Sequence, residues 1–164
     1  MGRADDATRR GNPPRRGPEL AEALREVSAD LIATLERVPS AAWSRLPDPS
    51  TWSIGKDAAH IADAAAFHRW IVRHSIGQAP ATARPSIERR ELTTALTPAE
   101  AITRIRDATA TTAALLESLS VEQLALPTRP ARTGAEALGS TIERVLIGHL
   151  ETHRRAIEQK VAAG

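Results

Sequence analysis

The sequence predicts an all-α protein, a four-helix bundle with a long crossover between its second and third helices. Three observations lead there. Apolar residues recur at spacings of three and four in four separate stretches, the mark of helices with one buried face. No segment keeps the period-two alternation of a half-buried strand. Residues 77–96 carry Gly77, Pro80 and Pro85 with no sustained period, and a connection of that length lets the second and third helices run parallel.

Residues 1–17 are rich in Arg, Gly, Pro and Asp and offer almost nothing to bury, so a disordered tail is expected there, followed by one domain over 18–164. From Pro18, the positions Leu20, Leu24, Val27, Leu31, Leu35 and Val38 form the seam of the first helix, which Pro39 ends. Trp43 and Leu46 are expected to pack a short turn onto the core. Ser53 is a good N-cap for the second helix, which runs to about Ile76 with His60, Asp63, Phe67, Trp70 and His74 at helical spacing. Thr97-Pro98-Ala99-Glu100 is a capping box with Pro at the first helical position, opening a third helix through Ile102, Ile105, Thr109, Thr112 or Ala113, and Leu116. Ser120 with Gln123 marks a further short turn before Pro127. After a break at 130–134 the last helix runs from Ala135 to about Val161, with Leu138, Ile142, Val145, His149, His153, Ala156 and Ile157 along its seam.

At 164 residues with 41% hydrophobic content, the chain suits a single core. It contains no cysteine, which excludes disulfides, thiolate metal sites and a cysteine nucleophile. Any metal must be held by imidazole, carboxylate or water. The pI of 9.9 suggests nucleic acid, yet the net charge is only +2, and five arginines against Asp5 and Asp6 lie before residue 18, which leaves the rest of the chain close to neutral. Phe67 is the one Phe, and the three Trp are not interleaved with basic residues, so no nucleic-acid partner is expected. No run of apolar residues is long enough to span a membrane or serve as a secretory core, and a soluble cytoplasmic protein is the expectation.

The chemistry concentrates in histidine. His149 and His153 are four apart, hence one turn apart on one helix face, and both fall on the apolar seam. Two imidazoles turned into a core must each satisfy two ring nitrogens away from water, which is costly unless something binds them. His60 lies on an apolar stretch of the second helix and supplies a third nitrogen if the segments meet. Three histidines with an open position are the arrangement of catalytic rather than structural zinc; three imidazoles also suit nickel, iron or copper. The competing reading is that each is a packed core histidine. His68 and His74 lie about 12 and 21 Å along the helix from His60 and are not expected to share an ion with it. Asp63, one turn beyond His60, is a candidate to receive a ligand histidine's second N–H or to reach the metal, or else a surface or helix-pairing charge. Arg69, Arg73 and Arg154 are candidates to hold an anionic substrate.

The run Trp52-Ser53-Ile54-Gly55 leading to His60, and His149-x-x-x-His153 followed by Arg154, resemble the DinB-like superfamily and the related mycothiol-dependent maleylpyruvate isomerase group. The resemblance covers most of residues 18–162. It implies a four-helix bundle binding a divalent metal, with zinc or nickel favoured here, through His60, His149 and His153. It also implies an enzyme that joins a low-molecular-weight thiol to a small electrophile. After His153 the chain reads Arg-Arg-Ala-Ile, where many relatives have Arg-Gly-Gln-Leu. With no cysteine present the thiol must be a small molecule, and the arginine-rich, lysine-poor composition favours mycothiol. Two other readings compete: metal-assisted hydrolysis without thiol, and a non-catalytic metal- or ligand-binding bundle, structural or sensory, with a second copy of the chain as a candidate partner.

Overall fold

A computed structural model describes residues 15–46, 51–86, 94–129 and 136–163. Among these residues there is no strand, only an isolated antiparallel bridge between Pro127 and Ala137. Four long helices carry the fold: α1 (Gly17–Glu36), α3 (Ile54–Ser75), α4 (Pro98–Glu117), and a last helix built from α6 (Leu138–Thr141), a π segment (Ile142–Ile147) and α7 (Gly148–Ala162). Short α2 (Ser40–Trp43) and α5 (Val121–Ala125) follow α1 and α4. No helix among the described residues is long and apolar enough to cross a membrane.

The helix starts follow the local chemistry. Ser53 Oγ accepts the Lys56 amide at 3.3 Å. Thr97 and Glu100 exchange both bonds of a capping box, at 3.3 and 2.9 Å, and Ser120 with Gln123 does the same at 3.2 and 3.0 Å. The first helix begins at Gly17, where a Cβ would meet the Leu116 carbonyl oxygen at 2.3 Å, so only glycine lets α1 lie this close to the end of α4. The disorder expected of the tail falls, for residues 1–14, outside the described residues.

Cross-helix contacts set the topology. Arg25–Glu117 (2.6 Å), Ser28–Thr109 (2.7 Å) and Arg106–Glu36 (3.2 Å) make α1 antiparallel to α4. Thr34–Glu158 (3.4 Å) and Arg15–Glu143 (3.7 Å) make α1 parallel to the last helix. The Asp63–Arg104 ion pair and the 3.1 Å Arg69–Thr112 bond run α3 parallel to α4, while Asp57–Lys160 runs α3 antiparallel to the last helix. Each of α1 and α3 therefore packs between α4 and the last helix, and the order is up, down, down, up. The parallel α3–α4 pair needs the long crossover that the sequence predicts.

The core seams differ in detail. In α1 Ser28 is buried, hydrogen-bonded to Thr109, while Val27 is only partly covered. In α3 the buried residues are Ile54, Gly55, Asp57, Ala58, Ala59, Ile61, Ala64, His68, Trp70, Ile71, Val72 and Ser75; of the expected line of His60, Asp63, Phe67, Trp70 and His74, Trp70 is among them and the other four are only partly covered. An alanine-rich helix carries little hydrophobic contrast to mark its inner face. Trp43 packs inward as expected, whereas Leu46 is exposed.

Trp43 also locks the crossover. Its indole N–H donates to the Leu96 carbonyl at 2.6 Å, and the Leu96 amide donates to the Gly55 carbonyl at 3.2 Å. A Cβ on Gly55 would meet Trp43 Nε1 at 2.7 Å and the Leu96 oxygen at 3.0 Å. Gly55→Ala should therefore lower stability by about 1–3 kcal/mol despite alanine's better helix propensity, a loss that urea denaturation of the two proteins will read directly.

Candidate metal centre

The antiparallel seam between α3 and the last helix gathers the histidines. A π turn precedes them: the Gly148 amide bonds to the Glu143 carbonyl, five residues back, and residues beyond such an insertion are turned about 100° relative to an uninterrupted α-helix. The buried residues are accordingly Leu138, Ile142, Leu146, Ile147, Leu150 and Ile157, with Leu146 and Ile147 where the sequence places Val145. Described residues of this helix begin at 136 and its first helical residue is Leu138, so the predicted start at Ala135 lies outside them.

His60, His149 and His153 meet in that seam. Their ring centroids stand 5.3, 5.3 and 4.5 Å apart, and one nitrogen from each lies within 4.8 Å of the others. The Trp52 ring meets His60 edge-on at 5.0 Å. Burial, then the neighbouring His153, His68 and His60, push the His149 pKa down to about 3. Burial and His153 likewise lower that of His60. Both rings are neutral near pH 7, the form that donates a lone pair.

One atom is left over. Nε2 of His149 is buried without a hydrogen-bond partner, the one such side-chain atom among the described residues. An orphaned imidazole nitrogen beside two more imidazoles suits a divalent cation, and the residues present fit one.

A carboxylate and a lysine, both unforeseen from the sequence, border the three rings. Asp57 Oδ1 lies 3.6 Å from His153 Nδ1, and Oδ2 pairs with Lys160. Burial alone would raise the Asp57 pKa, but His153 and Lys160 outweigh it and hold the carboxyl below its ordinary value. Asp57 is three residues before His60 and Lys160 is two turns beyond His153; a charge at those positions on an apolar face is the signal that was there to read. Asp63, by contrast, pairs with Arg104 across helices, the helix-pairing role.

His68 is outside the three-donor set but not remote from it. Its ring meets His149 at 5.1 Å, because the antiparallel partner carries His149 further along α3 than His60 reaches. Burial, then His60 and Arg69, lower its pKa to about 4. The two rings border a cavity of about 30 Å³ whose other walls include Leu24, Ile61, Ile105, Thr109 and Leu146. His74 stacks on Trp70 and bonds the Ala79 carbonyl at 2.8 Å, away from the centre. Of the candidate anion holders, Arg154 is engaged by Glu151 and Glu158, Arg69 bonds Thr112 and the Ala108 carbonyl, and Arg73 is exposed.

The comparisons agree with this architecture. YfiT from Bacillus subtilis, described as a probable metal-dependent hydrolase with an unusual four-helix bundle topology, superposes with a TM-score of 0.73 at 16% identity, covering 93% of this chain and 89% of its own. An uncharacterized protein from Clostridium difficile 630 gives 0.69 at 15% identity over 88% of this chain and 95% of that one. A Streptococcus pneumoniae protein gives 0.69 at 14% over 90% and 91%. No curated protein matches the sequence. Residues 23–157 match the DinB superfamily, and the chain belongs to that family.

Proposed function

We propose that this chain is a divalent-metal-dependent enzyme, with His60, His149 and His153 as ligands to zinc or nickel, that transfers a low-molecular-weight thiol of the mycothiol type to a small electrophile. The observation that carries the metal is the orphaned, buried Nε2 of His149, on a ring clustered with those of His60 and His153. A bound divalent cation in such a site supplies Lewis acidity, which makes a small thiol or water nucleophilic near neutral pH. The chain's own residues supply the rest. Burial keeps His149 and His60 unprotonated, the Trp52 edge backs His60, and Asp57 faces the outer nitrogen of His153. The thiol comes from solution because the chain has no cysteine, and a composition whose Lys and Arg are all Arg except Lys56 and Lys160 favours mycothiol as its source.

The likeness to YfiT favours a second reading, in which water takes the place of the thiol at the same three histidines. The two differ in their co-substrate, so the distinction is kinetic.

Elemental analysis of untagged protein should give about one divalent ion per chain. The His149→Ala/His153→Ala variant should carry none; equal metal in both would remove the ligand assignment. With metal loaded, turnover of activated electrophiles should require added thiol and stop when it is left out. Turnover that persists without thiol would establish hydrolysis instead.

Metal-free protein should lose stability as pH falls. His68 and His149 have folded pKa values depressed to about 4 and about 3, so the stability they allow is complete above their ordinary value near 6.5 and is lost as pH drops towards the folded values. At pH 5 each should cost about 2 kcal/mol relative to pH 8. Urea titrations at the two pH values test this, and His68→Leu should remove about half of the difference.

A further inference from the structure

Lys160 is placed oddly for a lysine. Its side chain is 18% exposed, and its ammonium donates to the Asp57 carboxylate and, at 2.8 Å, to the main-chain carbonyl of Trp52. Asp57 is more enclosed still, with its side chain 7% exposed. A buried ion pair is a poor source of stability, since apolar residues of the same volume do as well or better. What this pair does contribute is direction, and each acceptor of Lys160 leads to a different imidazole. Asp57 Oδ1 faces Nδ1 of His153 at 3.6 Å. The Trp52 ring stands against His60, with centroids 5.0 Å apart at 63°.

The tautomer of His153 follows from the first of these contacts. A carboxylate turned towards an imidazole nitrogen repels a lone pair and attracts an N–H. Asp57 is paired with Lys160 and fixed in place by it, so the ring hydrogen of His153 is drawn to Nδ1. Its lone pair is then on Nε2, the nitrogen away from Asp57. Trp52 immediately precedes Ser53, the N-cap of α3, so the Lys160–Trp52 bond ties the entrance of α3 to the end of the last helix. The helices that carry His60 and His153 are thereby fixed to each other about two turns from the rings.

We propose that Asp57 and Lys160 are positioning residues of the metal centre: Asp57 selects the Nδ1–H tautomer of His153, and Lys160 holds both Asp57 and the Trp52 segment, so that one lysine orients two of the three imidazoles. The inference rests on the metal reading above. Neither residue touches the cation; each acts through a histidine or through the chain that backs one.

Histidine ring ¹⁵N spectra of the metal-free wild type near pH 7.5 should show His153 as the Nδ1–H tautomer; a predominant Nε2–H form overturns the proposal. Zinc affinity, measured by competition with a chromophoric chelator, should fall about 10- to 100-fold in Asp57→Asn and in Lys160→Met. Because the two act as one unit, the double variant should bind no more than about twofold more weakly than the weaker single. Lys160→Arg, which keeps the charge and the donors, should stay within about threefold of wild type. The visible absorption of the cobalt-loaded protein should change in Asp57→Asn, which a role in folding alone would leave untouched. Variants that lose thermal stability yet bind zinc as tightly as wild type would overturn the clamp and leave the metal centre standing. A wild type that takes up neither zinc nor cobalt would overturn both. Should a variant fail to fold, the wild-type tautomer decides.

Discussion

Everything in this bundle that resembles a site depends on the antiparallel packing of α3 against the last helix. That seam brings His60, His149 and His153 to within 4.8 Å, nitrogen to nitrogen, and lays His68 against the far side of His149. Neutral imidazoles are expensive to enclose unless their nitrogens are satisfied. His153 faces Asp57, yet His149 keeps a buried nitrogen with no partner. A leucine in that place, like Leu146 and Leu150 on the same helix, would carry no such cost. The retained cost is what marks the seam as a place where a ligand belongs.

The topology explains how two segments ninety residues apart come to share that seam. In a simple up-down bundle, consecutive helices are neighbours. Here α1 and α3 lie diagonally across the core, and so do α4 and the last helix. The crossover returns the chain to the end where α3 began, so α4 runs parallel to α3 on one flank and leaves the other flank to the last helix. Trp43, Gly55 and Leu96 close that crossover onto the start of α3. The residues that secure the unusual connection thus adjoin Trp52 and Ser53, the same stretch that backs His60 and that Lys160 grips.

Fold class, crossover, capping boxes and the three histidines were legible because each leaves a local signature. Thr97-Pro98-Ala99-Glu100 announces a helix start whatever surrounds it, and an i, i+4 histidine pair shares a face by helical geometry alone. What was not legible depends on register between helices. The π turn at Ile142–Ile147 inserts a residue without any proline or glycine inside it, so the seam was placed on Val145 instead of Leu146. The inner face of α3 was misjudged for a related reason: Ala58, Ala64 and their neighbours fit either side of a helix. His68 was set aside by its distance from His60, when the relevant neighbour was His149 on the opposing helix. Asp63 drew notice by following His60 by one turn, whereas the carboxylate that reaches a histidine is Asp57, three residues before it.

That last substitution bears on the chemistry. Asp63 pairs with Arg104 of α4 at a partly exposed position, and its charge is one of the lesser influences on His60. Asp57, enclosed and paired with Lys160, acts in a medium of low dielectric, where the direction of a charge matters more than its mere presence. His149 keeps a nitrogen without a partner, while Nδ1 of His153 faces the Asp57 carboxylate at 3.6 Å. On the proposed reading, a cation takes the free nitrogen of His149 and the nitrogen of His153 that does not face Asp57. An ordinary core gains nothing from that asymmetry, whereas a cation bound among the three rings would satisfy the nitrogen that is left over.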